Sequence, residues 1–284
     1  MSDRAAPAPD LTAVVVSHDS GDYLLACVAD LLAQTLAMQV IVVDNGSRDG
    51  APDRLPKDAR LTLLRNRDNP GFATACNQGA AQAQAARLLF INPDCRLPPD
   101  AARRLLAHLD AAPALGMLGA WLVNPDGSPQ AAARRSTPRP GRAIAQMLGR
   151  APQQPSVPCD GALQDVEATS GALMLMPRDL FQTLGGFDTG YVLHCEDLDL
   201  CRRVLDAGRR IAIATDVAVV HAKGTSSRRR PLWVEWQKHR GMWRYFRRFD
   251  AATSPWWLRV TVFAGIAAHL PIAAARAWWR ARRV

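Results

Sequence analysis

Residues Leu11–Ser17 (LTAVVVS) form an unbroken β-branched run, the pattern of a strand buried on both faces. Tyr23–Gln34 repeats its apolar residues at helical spacing. Gln39–Val43 predicts a second strand ending at Asp44, and Leu61–Arg65 a third. Ala73–Ala86 reads as an alanine-rich helix, and Arg87–Ile91 as a fourth strand running into Asn92-Pro93-Asp94. Pro98–Leu109 predicts a helix with proline in its first turn, where the missing N–H costs nothing. Strands alternating with helices predict an α/β fold, a mostly parallel central sheet flanked by helices. In such sheets ligands bind beyond the carboxyl ends of the strands. Ser17–Asp19, Asp44–Asn45 and Asn92–Asp94 each follow an apolar strand, so three polar groups converge on one edge. Residues 125–165 have weak periodicity and predict a long connection over that edge, and the Ala/Pro-rich residues 1–10 predict disorder.

The C-terminal part departs from this pattern. Residues 223–284 hold 14 Lys/Arg against only Glu235 and Asp250, a surplus of 12. The whole chain carries +9, so the rest is slightly acidic at −3. The same stretch holds seven of the eight tryptophans, interleaved with arginine. Trp and Arg together favour the membrane–water interface and anionic head groups. A helical cap with a solvated basic face, or a dimer contact, fits the same composition. Val260–Ala275 is mostly apolar, but only 16 residues long between Arg259 and Arg276. A spanning helix wants roughly 20, so an interfacial or domain-packed helix is expected. The chain divides on this basis into 1–10, a domain at 11–222 and a helical, membrane-proximal extension at 223–284.

The 284 residues, 48% hydrophobic and 21% charged, exclude bulk disorder. Six scattered cysteines without a CxxC pair predict reduced thiols, and MSDRAAPAPD lacks the apolar core of a secretory signal. A cytoplasmic protein, peripheral on the inner face of the membrane, is the expectation.

Five segments carry candidate chemistry. In Val40–Gly50 (VIVVDNGSRDG), Asp44 can accept hydrogen bonds from a ribose or base, or the segment is a simple turn. In Asn69–Gly79, Gly71 permits close backbone approach and Asn77 can face the cleft, or the segment is a turn and a packing helix. In Leu88–Cys95, Asp94 is placed for a divalent ion or for a helix cap. Ala168–Arg203 carries Glu196, Asp197 and Asp199 within four positions at a helix start, more acids than a cap needs. His221 ends an apolar strand before a Gly-Thr-Ser-Ser turn and is either a ligand or structural.

In this order the segments resemble family 2 glycosyltransferases of the GT-A fold, most closely the rhamnosyltransferase branch, over about Leu11–Ser227. The resemblance implies an inverting transfer of a sugar, rhamnose from dTDP-rhamnose as the first choice and UDP-sugars next. The implied acceptor is a polyprenyl-linked glycan or polysaccharide. It implies that Ser17 and Asp19 line the nucleotide, in a Ser-His-Asp-Ser sequence where the family usually has Thr/Ser-Tyr-Asn-Ser. Asp44 and Asn45, Gly71, Asn77 and Asn92 fall to substrate or nucleotide binding. Asp94 matches the last acid of the metal motif, with Asn92 in place of the first. Asp197 matches the catalytic base, Glu196 and Asp199 orient neighbouring groups, and His221 matches a metal or diphosphate ligand. The implied ion is Mg²⁺ or Mn²⁺.

Three rival readings remain. A nucleotidyltransferase would want a Gly-rich basic loop near the N-terminus, which Ser17–Gly21 does not supply. A non-catalytic sugar-nucleotide-binding protein would not need both Asp94 and Asp197. A nucleic-acid partner is not expected, because no nucleic-acid module is recognisable.

Overall fold

The computed structural model describes residues 9–139, 161–222 and 231–281. Residues 1–8, most of the segment expected to be disordered, lie outside that description. So do the middle of the 125–165 connection, Cys159, the Gly-Thr-Ser-Ser turn, Arg228–Arg230, Arg282 and Arg283.

The sheet is built from β1 (Leu11–Ser17), β2 (Met38–Asp44), β3 (Leu61–Arg65), β4 (Arg87–Ile91), β5 (Cys95–Arg96), β6 (Leu115–Val123), β8 (Leu163–Asp165), β10 (Leu173–Pro177) and β11 (Arg210–His221). Its order is β3-β2-β1-β4-β10-β6-β11-β5, with β8 on β11. β1, β2, β3 and β4 run parallel, as do β6 and β11, while β10 lies antiparallel between β4 and β6. β7 (Arg134–Arg135) and β9 (Ala168–Thr169) form a separate antiparallel pair. β1, β2 and β6 are buried at every position, as strands covered on both faces must be.

Alternate residues serve two cores. Ala13, Val15, Val40 and Val42 pack with Leu24, Val28 and Leu31 of α1 (Asp22–Leu32) and Leu105 of α3 (Ala101–Ala111). Val14, Val16, Ile41 and Val43 pack on the other face with Ala75, Cys76 and Ala80 of α2 (Phe72–Ala81), and with Leu200 and Val204 of the helix Glu196–Asp206. A short helix, Arg178–Thr183, brings Phe181 into the same core against Phe90 and Phe187.

Two helices differ from their expected bounds, each for a physical reason. The alanine-rich helix ends at Ala81 rather than running to Ala86. Gln39 Oε1 accepts from Gln84 N and Thr12 Oγ1 from Ala85 N, so two buried polar groups on the strands catch the backbone and turn it. The next helix starts at Ala101 rather than Pro98. The Pro98 and Pro99 carbonyls are held by Gln34 Nε2 and Thr35 N of the α1 side, and Gln34 Oε1 accepts from Ala102 N.

Beyond the sheet, the helix Pro231–Phe249 packs against the helix Trp256–Ala281. The second is longer than the 16-residue apolar run predicts, because it continues through Arg259 and Arg276. Its Trp256–Trp279 stretch, 24 residues containing an 18-residue window of mean hydropathy 1.6, is long and apolar enough to cross a membrane by length and composition. Among its described residues only Ala273 and Ala277 are buried. Trp243 meets Phe263 edge-on and His239 Nε2 lies 3.1 Å from His269 Nδ1, so the middle of the long helix rests on its neighbour.

Candidate active site

The first part of the site is a polar loop cluster at the ends of β1 and β2. Asn45 N donates to Ser17 O, and Ser47 N donates to Asp44 Oδ1, which folds the turn after β2. Asp19 sits in the left-handed region at φ 50°, held by Ser47 Oγ on its N–H and by Arg48 N on its Oδ1. His18 Nδ1 lies 2.9 Å from Asn45 O. Ser17, Asp44 and Asn45 are buried. A cavity of about 560 Å³ opens beside Asp19, lined by residues 19–23, Ala26, Asp49 and Arg96.

Asn45, Gly71 and Asn77 are tied into the backbone around them. The Asn45 amide bridges Asn66, Asn69 and the Gly71 carbonyl. Gly71 has φ 95°, and a Cβ there would stand 2.8 Å from the Val192 carbonyl oxygen. Asn77 exchanges two hydrogen bonds with the Phe187 backbone, at 2.8 and 2.9 Å. All three therefore brace the loop that leads to the 196–206 helix.

The second part joins Asp94 to His221 across 127 positions of sequence. The two-residue strand β5 pairs antiparallel with the end of β11, His221 opposite Cys95, and Ala222 N donates to Asp94 O. His221 Nε2 then lies 3.3 Å from Asp94 Oδ1, both side chains buried. Gln130 sets the hydrogen of the imidazole. Its Nε2 donates to His221 O at 2.7 Å and to Asn124 Oδ1 at 2.9 Å, so its Oε1 must face His221 Nδ1, 2.9 Å away. Nδ1 is therefore the donor, and in the neutral ring Nε2 turns a lone pair toward the carboxylate. A proton on Nε2 or a bound cation satisfies such a pair. A divalent ion fits this carboxylate–imidazole pair, and Mn²⁺ accepts both donors. Cys95 completes a trio with ligand atoms within 4.8 Å of one another, but burial pushes its thiol well up and its Sγ donates to Ala172 O. It is a buried hydrogen-bonded group there.

The third part is the start of the 196–206 helix. His194 and Cys195, both non-glycine, hold left-handed φ of 66° and 71° immediately before it. Such backbone is strained and persists only where its surroundings enforce it. Asp197 Oδ2 accepts from Gly171 N at 3.0 Å and from the Arg135 guanidinium, and Oδ1 accepts from Leu198 N. Gly171 is closely packed here: a Cβ would stand 3.2 Å from Asp197 Oδ2. Burial alone would raise Asp197, but the Arg135 charge and hydrogen bond, with the two backbone N–H groups, bring it below the usual carboxylate range. Burial, and then the Asp197 charge, push the neighbouring Glu196 carboxyl well up. Asp199 is fully buried and accepts from Arg203 and Tyr191, with Arg248 at 3.2 Å, so it anchors structure rather than facing a ligand.

The parts meet at residues 170–172, between β9 and β10. Asp197 is held by Gly171 N, while Asn92 N and Cys95 Sγ both bond to Ala172 O. The base candidate and the ion-site candidate thus flank one short turn. Neither Gln130 nor Arg135 stands out in the sequence. Both sit in the aperiodic 125–139 stretch, where the doubled arginine at 134–135 is the sole signal.

Residues 12–170 match the model of the family described as Glycosyl transferase family 2. The chain is 30% identical over 243 residues to the N-acetylglucosaminyl-diphospho-decaprenol L-rhamnosyltransferase of Mycobacterium tuberculosis (strain CDC 1551 / Oshkosh), covering 78% of each. It is 24% identical to rhamnosyltransferase WbbL of Escherichia coli (strain K12), covering 73% of this chain and 81% of that one. The mannosyltransferase PcManGT of Pyrobaculum calidifontis, solved in complex with GDP-Man and Mn²⁺, matches the fold with a TM-score of 0.58 at 20% identity. That match covers 95% of this chain and 73% of the mannosyltransferase.

Proposed function

This chain belongs to glycosyl transferase family 2, and from that membership we propose that it inverts a sugar, rhamnose from dTDP-rhamnose, onto a hydroxyl of a diphospho-polyprenyl-linked glycan. The observation that carries the reading is the pairing of two chemistries across the 170–172 turn. On one side stand Asp94 and His221, 3.3 Å apart; on the other stands a buried carboxylate, Asp197. A sugar nucleotide needs charge control at its diphosphate and a base at the attacking hydroxyl, and these two positions offer both. The relative's acceptor, a sugar on diphospho-decaprenol, supports the acceptor class proposed.

Asp94 and His221 would hold the divalent ion, Mg²⁺ or Mn²⁺, with Gln130 orienting the imidazole through Nδ1. When bound, the ion would supply Lewis-acid neutralisation of charge on the departing diphosphate. The Ser17–Asp19 and Asp44 turns border the nucleoside. Asp197 takes the proton of the acceptor hydroxyl, whose oxygen bonds to the anomeric carbon as the bond to the nucleoside diphosphate breaks. Attack from the opposite face inverts the centre.

The C-terminal helices dock the enzyme on the anionic inner face of the membrane. The long helix carries Trp256, Trp257, Trp278 and Trp279 near its ends, all exposed. Its middle is held by a helix bearing Lys238, Arg240, Arg244, Arg247 and Arg248, which would not enter hydrocarbon with it. Surface docking therefore suits the pair better than a span.

The test is product formation from dTDP-rhamnose, UDP-sugars and GDP-mannose with an N-acetylglucosaminyl-diphospholipid, with Mn²⁺, Mg²⁺ or a chelator. Transfer from dTDP-rhamnose with inverted configuration, lost by about 10³-fold or more in Asp197→Asn, is expected. Wild-type rates in Asp197→Asn would remove the assigned base.

A further inference from the structure

Arg135 has no part in the transfer as derived so far, yet its guanidinium is bonded to the base. Resting on the transferase reading above, we infer that Arg135 binds the diphosphate of the acceptor and restrains Asp197 until that diphosphate arrives.

The geometry supports a latch. Both oxygens of Asp197 are occupied, Oδ1 by Leu198 N and Oδ2 by Gly171 N and Arg135. A carboxylate with three donors on it, one of them a guanidinium, has less proton affinity to offer a hydroxyl, and a base weakened in this way transfers protons poorly. Losing the arginine would restore it. A largely buried guanidinium, however, leaves a carboxylate only for another anion, because separating a buried pair uncompensated is strongly unfavourable. Arg135 is built to make that exchange. Its side chain keeps 28% of its surface exposed, its Nε has no hydrogen-bond partner, and its other hold is the Thr169 carbonyl at 2.6 Å. The planar fork of donors matches phosphate oxygens two at a time. The adjacent Arg134 lies over the Trp121 ring, and Arg203, Arg244 and Arg248 are paired with Asp199 and Asp188.

Two diphosphates enter such a site, one on the donor and one on the acceptor. In an inverting displacement the base and the leaving group stand on opposite sides of the anomeric carbon. Arg135 is on the side of the base, and the Asp94–His221 pair is the candidate for the donor's diphosphate. The group that reaches Arg135 is therefore the acceptor's.

The test titrates the full-length chain calorimetrically with a short-chain polyprenyl diphosphate. It uses wild type, Arg135→Gln, Arg135→Lys and Asp197→Asn. Arg135→Gln should bind roughly 10–100-fold more weakly, the range of a charge-assisted hydrogen bond. Arg135→Lys should fall between, keeping the charge and losing the fork. Asp197→Asn should bind more tightly than wild type, because the competing carboxylate is neutralised. In parallel, the ratio of kcat/KM for the diphospholipid acceptor to that for a neutral alkyl glycoside of the same sugar should collapse toward one in Arg135→Gln. Acceptor-free hydrolysis of the donor should rise several-fold, water replacing the hydroxyl and Asp197 taking its proton. Unchanged diphosphate affinity in Arg135→Gln, or weaker binding in Asp197→Asn, overturns the inference. A raised donor KM with an unchanged acceptor ratio moves Arg135 to the donor and also overturns it. If the binding pattern holds while no sugar is transferred, the transferase reading falls and the diphosphate site stands.

Discussion

Glu196 and Asp197 are adjacent carboxyls driven in opposite directions by what each touches. Asp197 has a guanidinium and two N–H groups; Glu196 is buried, with its Oε2 lacking a hydrogen-bond partner. A raised carboxyl keeps its proton in the folded state. Its stabilising contribution is fully present below the unfolded value of 4.5 and is lost as pH rises through the folded value of about 8. Replacing Glu196 by Gln should therefore flatten the fall in Tm between pH 5 and pH 8, measured by calorimetry across that range. An equally steep fall in the variant would show that another group titrates there. Asp94, Asp197 and His221 were legible in the sequence because each ends or begins a strongly periodic element. Gln130 and Arg135 were not, since their partners lie 91 and 62 positions away and no local pattern encodes such contacts.

Among elements, the helix Pro231–Phe249 bears directly on the strained entry to the 196–206 helix. Gly241 makes the approach possible: a Cβ there would stand 3.0 Å from His194 O and 3.2 Å from Cys195 Sγ. Arg244 and Arg248 clamp the same helix to Asp188, and Tyr245 packs on Tyr191 and Cys195. Valine at position 241 should push the His194–Cys195 turn outward and displace Asp197. We expect kcat to fall roughly 10–100-fold while donor affinity changes little, since sub-ångström misplacement of a base is costly. Steady-state kinetics beside nucleotide binding would check this, and an equal loss of both would point to general misfolding. Periodicity indicated the strands of the parallel half and the helices at 22–32, 72–81 and 101–111. It missed the true ends of two helices because those ends are decided by Gln39, Thr12 and Gln34 reaching across from other elements.

At the scale of the whole molecule, charge and exposed tryptophan are segregated to one end of the chain. Removing residues 255–284 should abolish sedimentation with vesicles rich in anionic lipid while leaving donor binding intact. Sedimentation unchanged by the truncation would locate any membrane contact elsewhere. Composition alone made this asymmetry visible, but not that the apolar helix continues past its arginines. The sheet holds a further consequence in the position of β10. This strand occupies the slot between β4 and β6, yet it is assembled from residues 173–177, some 80 positions after β4. A nascent chain emerging from the ribosome must therefore carry β4 with one edge bare for all of that length. Synthesis would pass through an interval in which the half-built sheet is open to a chaperone or to another chain, closing only once residue 177 is free.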